Sequence, residues 1–312
     1  MGIASPKPEE PAIEPEVPKT PPRKILLVED GAINQRVALG FLKKWNHEVE
    51  LAVNGREAVE ATKQQSFDVI LMDIQMPEMN GLEATAAIRK SEEGTNQHQY
   101  IVAMTAEAMK GDREKCLNAG MDDYISKPFN PDELQDVIAR ATEHIAPDAT
   151  DNAPEDAADA APADRTADEP ESTAAATTED GETEPERQTE PMLDWDHAVR
   201  QMGGDENLAL EVLRTFQDEV PVLLKQMRSA IEAKDPTTLC RSAHTLKGSS
   251  RFFGLSEIIE ICTNIEASGQ AMEIAAAEEA VDQLGKTCDR LLAEIANRLA
   301  SNAAESDKAD PS

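Results

Sequence analysis

The sequence predicts two domains of different class: a five-stranded, doubly wound parallel α/β sheet, then an antiparallel all-α bundle. Three observations predict it. From residue 23 to 146, short uninterrupted apolar runs alternate with amphipathic stretches, and such runs between helices mark a parallel sheet covered on both faces. Residues 147–191 are Ala, Pro, Thr, Asp and Glu with almost no large apolar side chain. Residues 192–300 return to apolar side chains at helical spacing throughout, the pattern of a bundle.

Residues 1–22 carry seven prolines and scattered charge, which predicts a disordered tail. Ile25–Val28 reads as the first buried strand, Ala32–Lys44 as a helix with Val37, Phe41 and Leu42 on one side, and Val49–Val53 as the second strand. Helix at Gly55–Gln65, strand at Asp68–Asp73, helix at Leu82–Ile88, strand at Ile101–Thr105 and helix at Arg113–Ala119 follow. Tyr124–Ser126 is the last strand, and Pro131 opens the last helix at a first-turn position. Five strand–helix units make a doubly wound domain. Between Ala146 and Pro191 there are 15 acidic and 2 basic residues, a self-repelling linker. A flexible chain of that length spans roughly 35–40 Å r.m.s., which permits the domains to meet.

In the second domain, Leu193–Met202 is a short helix anchored by Trp195. Glu206–Ala233 is a long amphipathic run, with Pro221 placed to kink it. Asp235 caps the next helix, and Leu255–Ala267 and Ala275–Leu299 complete the bundle. Residues 301–312 read as a frayed tail.

The chain has 312 residues, room for two domains, and a net charge of −31 from 61 acidic and 30 basic side chains. That balance argues against nucleic acid as a partner, since phosphate contacts need a basic face. There is no secretory segment and no apolar run of about 18 residues, so no membrane insertion is expected. The four cysteines form no C-x-x-C pair and read as buried thiols of a cytoplasmic protein.

In a doubly wound sheet, functional groups collect at the carboxyl ends of the strands. Glu29 and Asp30 follow the first run, Asp73 ends the third, Thr105 the fourth, and Lys127 follows the fifth. Three converging carboxylates repel one another, and a hard cation such as Mg²⁺ offsets this. Asp73 is then a carboxylate nucleophile toward a phosphoryl group. Lys127 neutralises its oxygens, and Thr105 offers one of them a hydroxyl. The matching text is Leu27-Val-Glu-Asp30, Leu71-Met-Asp-Ile-Gln-Met-Pro-Glu-Met-Asn-Gly81, Met104-Thr-Ala106 and Ser126-Lys-Pro-Phe129. It closely resembles the receiver domain of response regulators, a flavodoxin-like fold. The resemblance implies that Asp73 is the phosphoacceptor and that Glu29, Asp30 and Asp73, with the Gln75 carbonyl, hold Mg²⁺. It also implies that Thr105 and Tyr124 are a switch pair and that the bond before Pro128 is cis.

In Ala243-His-Thr-Leu-Lys-Gly-Ser-Ser-Arg-Phe-Phe-Gly254 the apolar residues Ala243, Leu246 and Phe253 recur at roughly helical spacing. His244, Lys247 and Gly248 share a face. Gly248 costs a helix about 1 kcal/mol relative to Ala, but it clears an approach to His244. Lys247 supplies a mobile cation for phosphoryl oxygens. This stretch resembles the signature of histidine phosphotransfer domains, and Cys262–Glu266 resembles the helix that follows it.

Together these readings describe a two-component phosphorelay protein. Asp73 accepts phosphate from a histidine kinase, and His244 carries it to or from a receiver aspartate, including that of a downstream response regulator. Met1 fits a complete chain; the C-terminal receiver–phosphotransfer portion of a hybrid sensor histidine kinase is the alternative. No Gly-rich ATP-binding region is visible, so any enzyme activity is limited to Mg²⁺-dependent turnover of the receiver's own phosphate. A transcriptional regulator lacks support for want of a basic recognition helix. A pure interaction module with an inert His244 predicts no phosphate there.

Overall fold

The computed structural model describes residues 20–105, 110–128, 130–143 and 191–309. The acidic stretch from 147 to 190 and the tail from 1 to 19 lie outside the described residues. In the first domain β1 (Lys24–Val28), β2 (Glu48–Ala52), β3 (Val69–Asp73), β4 (Ile101–Thr105) and β5 (Asp123–Ser126) form one parallel sheet in the order β2-β1-β3-β4-β5. The helices between and after them are α1 (Ala32–Lys44), α2 (Gly55–Gln64), α3 (Gly81–Glu92), α4 (Lys110–Asn118) and α5 (Pro131–Glu143). This is the doubly wound fold the apolar runs predict.

Alternate residues of the central strands serve opposite faces. Ile25, Leu27, Val69, Leu71, Val102 and Met104 cluster with Val37 and Phe41 of α1 and Leu134 and Ile138 of α5. Leu26, Val28, Ile70, Met72, Ile101 and Ala103 cluster with Ala58 of α2 and Ala84 and Ile88 of α3. Two buried faces explain why the runs are continuous rather than alternating. β2 is an edge strand and carries the exposed Glu48 and Glu50, charges that discourage pairing with another chain.

The second domain is α6 (Trp195–Gln201), α7 (Glu206–Ala233), α8 (Pro236–Arg251), α9 (Ser256–Gln270) and α10 (Ile274–Ala309). Each of α7, α8, α9 and α10 packs on two of the others, closing a four-helix bundle. α7 is a single element, with Pro221 inside it. Asp235 caps α8, accepting from the Thr237 and Thr238 N–H groups at 3.0 and 3.2 Å. α10 runs to Ala309, past residue 300, so the expected tail is helical over 301–309. The helix extends beyond its apolar stripe because alanine, frequent in this stretch, favours helix.

Three of the four cysteines are buried, Cys240 is half-buried, and all are free thiols. No helix among the described residues is long and apolar enough to cross a membrane. The larger apolar cluster does not stop at the domain boundary: it includes Phe41 of α1 and Leu208 of α7.

Candidate functional site

The carboxyl ends of β1 and β3 are neighbours because Val28 pairs with Met72. The next residues, Glu29 and Asp73, therefore meet. Donor oxygens of Glu29, Asp30 and Asp73 lie within 4.8 Å of one another. Lys127, directly after β5, places Nζ 2.8 Å from Asp73 Oδ2 and also on Glu29 Oε2. Glu29 is buried; its Oε1 accepts from Asn34 Nδ2 at 2.9 Å and from the Gly31 N–H at 3.2 Å. Burial pushes the Glu29 carboxyl up to about 7, with Asp73 adding to the rise and Lys127 opposing it. Burial, then Asp73, pushes Asp30 up to about 6. Burial acts to lower the Lys127 pKa, but Asp73 and Glu29 outweigh it and the ammonium is held charged.

The remaining receiver residues fall around this cluster. The Gln75 N–H donates to Asp73 Oδ1 at 3.2 Å, and the buried Thr105 accepts at its carbonyl from the Lys127 N–H at 2.6 Å. Tyr124 packs against the second apolar cluster with the Arg113 guanidinium 5.5 Å from its ring centre. The Lys127–Pro128 bond is cis. Gly81 lies where α3 begins, and a Cβ there would stand 2.1 Å from the Asp73 carbonyl oxygen. The β3–α3 turn that presents Asp73 thus requires a glycine.

On α8, His244 is about one-third exposed, and its Nδ1 lies 2.9 Å from Glu266 Oε1 on α9. Lys247 pairs with the other oxygen, Glu266 Oε2. Lys247 is buried, so it is a tethered cation and not the mobile one expected from sequence. Burial acts to raise the Glu266 pKa, but hydrogen bonds from His244 and Lys247 outweigh it and hold the carboxyl below its ordinary value. A Cβ on Gly248 would meet nothing within 4 Å, so the space beside His244 is open.

Glu266 went unassigned from sequence. One signal was available: it follows the buried Cys262 by one turn of α9, an acid on the edge of the face that packs inward. Both halves of the site line one cavity of about 510 Å³, with Asp30, Asp73 and Lys127 on one side and His244, Lys247 and Glu266 on the other.

A carboxylate cleft at the strand ends of a doubly wound sheet, facing a histidine on a helical bundle, defines a two-component signalling module. The response regulator receiver domain model matches residues 25–139 and the Hpt domain model matches residues 211–296. The chain therefore joins a receiver domain to a histidine phosphotransfer domain. Its relatives include histidine kinases and a sensor protein. Signal transduction histidine-protein kinase BarA of Escherichia coli K12 is 30% identical over 78% of this chain and 23% of that protein. Sensor protein GacS of Pseudomonas syringae is 29% identical over 87% of this chain and 27% of that protein. Hybrid signal transduction histidine kinase I of Dictyostelium discoideum is 46% identical over 38% of this chain and 7% of that protein. The chain thus spans between 7% and 27% of the length of these curated relatives. The receiver domain of a sensor histidine kinase from Pseudomonas aeruginosa PAO1, crystallised with magnesium in its active-site cleft, is 42% identical with a TM-score of 0.37. It covers 39% of this chain and 99% of that one.

Proposed function

We propose that the chain is a phosphorelay intermediate in which Asp73 accepts a phosphoryl group from a histidine kinase and exchanges it with His244 of the same chain. One observation carries this reading: Asp73 and His244 line the same cavity. Glu266 accepts the Nδ1 proton of His244, which leaves the Nε2 lone pair for attack. An Nε2–P bond forms as the Asp73 O–P bond breaks, and the electron pair returns to the Asp73 carboxylate. Positive charge develops on the imidazole, and the ionised Glu266 stabilises it. Lys127 follows the phosphoryl oxygens from its place on Asp73. Thr105 gives one oxygen a hydroxyl, and Thr105 with Tyr124 reports occupancy as a switch pair. Gly248 leaves the phosphoryl group room, and Lys247 acts through Glu266.

Glu29, Asp30 and Asp73, with the Gln75 carbonyl, fit a Mg²⁺ ion, because their donor oxygens lie within 4.8 Å of one another and a divalent cation offsets both their burial and their mutual repulsion. When bound it neutralises phosphoryl oxygens. From His244 phosphate passes to a downstream response regulator's receiver, or returns. The relatives favour a second version of this reading, in which these residues work as the C-terminal portion of a hybrid histidine kinase.

Labelling the full chain with acetyl phosphate tests the reading. Wild type should accumulate base-stable, acid-labile phosphohistidine, His244→Gln only acyl phosphate, and Asp73→Asn neither. Label on His244 in the Asp73→Asn chain at the wild-type rate would refute the route through Asp73.

A further inference from the structure

Gly40 lies in the middle of α1, where glycine weakens a helix. A Cβ there would stand 2.6 Å from Leu208 Cδ1 and 2.8 Å from Cδ2. Leu208 is a buried residue in the first turn of α7, in the other domain. Gly40 is therefore the floor of a socket that a leucine of the bundle fills. Gly248, also inside a helix, faces open space instead. One of these glycines admits the phosphoryl group; the other admits the partner domain.

Two further contacts continue the seam. Arg36, one turn before Gly40, lies 3.6 Å from Glu211, one turn after Leu208. One turn further back, the half-buried Glu219 of α7 lies beside the Ala32 N–H. The α1 N-cap is Gly31, which has no side chain to cap with, so a carboxylate of the bundle supplies negative charge at this helix N-terminus from across the seam. The three contacts run in opposite senses along the two helices, so α1 and α7 lie antiparallel. Glu219 also accepts from Ser249 Oγ on α8 at 3.5 Å. It thereby ties the start of α1, two residues after Asp30, to the helix that carries His244. Arg36 and Glu211 are half-exposed, and such ion pairs contribute little. Selectivity falls to the buried leucine and its socket.

We propose that Gly40 and Leu208 form the specificity-determining contact that seats this receiver on its own bundle and so brings Asp73 to His244. The inference rests on the phosphorelay reading above. A receiver with a larger side chain at this position of α1 cannot close to the same distance, and a bundle without Leu208 leaves the socket unfilled. Discrimination thus works against mismatched partners on both sides.

The test uses full-length chains and acetyl phosphate. Gly40→Leu should slow transfer from Asp73 to His244 by about tenfold or more, as overpacking prevents closure. Asp73 labelling itself should be unchanged, and α1 is not at risk because leucine favours helix over glycine. Adding Leu208→Ala to Gly40→Leu should restore most of the rate. Small-angle scattering reads the seam without phosphate: Gly40→Leu should enlarge the radius of gyration, and the double variant should shrink it again. A Gly40→Leu chain with wild-type transfer and scattering would overturn the proposal. So would a slowed chain that Leu208→Ala fails to rescue. Scattering that changes as expected, with no label on His244 in any chain, would keep the seam and sink both its link to transfer and the phosphorelay reading.

Discussion

Replacing Glu266 with alanine strikes the bundle and the chemistry together, through different partners. The carboxylate is bonded to His244 Nδ1 at 2.9 Å and paired with Lys247. The side chains of Glu266 and Lys247 are only 14% and 9% exposed. Without Glu266 the Lys247 ammonium is left buried and unpaired, and breaking a buried pair in this way costs about 3–5 kcal/mol. The cavity lets water reach the pair, so we take the lower end, about 3 kcal/mol. For a structure of this size that lowers the melting temperature by roughly 6–12 °C. His244 loses the acceptor that fixes its tautomer. A hydrogen bond to a charged group is worth about 1.5–3 kcal/mol, so transfer should slow roughly tenfold to a hundredfold. The stability loss should depend on pH. The Glu266 pKa is held below its ordinary value of 4.5, so its contribution is complete above that value and disappears as pH falls through the lower, folded one. The gap between wild type and variant should therefore narrow in acid. Glu266→Gln combined with Lys247→Met should regain stability without regaining the transfer rate, because both buried charges are gone. Thermal unfolding by circular dichroism and quenched phosphotransfer supply the readouts. A Glu266→Ala chain that melts and transfers like wild type would refute the argument.

Three other outcomes follow from the geometry. Gly81→Ala should destabilise the receiver by about 1–3 kcal/mol or more and depress Asp73 labelling, since its Cβ meets the Asp73 carbonyl at 2.1 Å; a denaturant melt that matches wild type contradicts this. Gly248→Leu should stabilise α8 by up to about 1 kcal/mol while slowing transfer, because it fills space that nothing occupies within 4 Å; unchanged transfer kinetics would remove the reason given for this glycine. Mg²⁺ should bind more tightly as pH rises through about 6 and about 7, where Asp30 and Glu29 lose the protons that compete with it; a calorimetric affinity that stays flat across that range argues against these ligands.

The α/β fold was legible because strands buried on both faces must be apolar at every position, which leaves runs such as Val69–Met72 unmistakable. The receiver cluster was legible for a related reason. The ends of those runs must come together in a doubly wound sheet, so Glu29, Asp30, Asp73, Thr105 and Lys127 could be named without knowing the register. Contacts between helices left no such trace. Glu266 reaches His244 from a separate helix; its place one turn after Cys262 puts it at the edge of the inward face of α9 but does not say that it meets His244. Gly40 has no visible role in the sequence of α1, because the leucine that fills its socket lies in the other domain. Glu219 sits on a long helix rich in acids, and only the packing of α1 distinguishes it. The end of α10 was misplaced because the reading followed the apolar stripe, whereas alanine propensity carries the helix to Ala309.

The central claim is that phosphate moves between Asp73 and His244 within one chain. The most direct measurement follows the decay of Asp73 acyl phosphate into phosphohistidine over roughly a hundredfold dilution of the full-length protein. Two groups held in one cavity react at an effective concentration that dilution does not touch. The account predicts a first-order rate constant that is the same at every dilution, together with loss of the phosphohistidine signal in His244→Gln. A rate that falls in proportion to protein concentration, or label that reaches His244 only from a separate receiver, would contradict it.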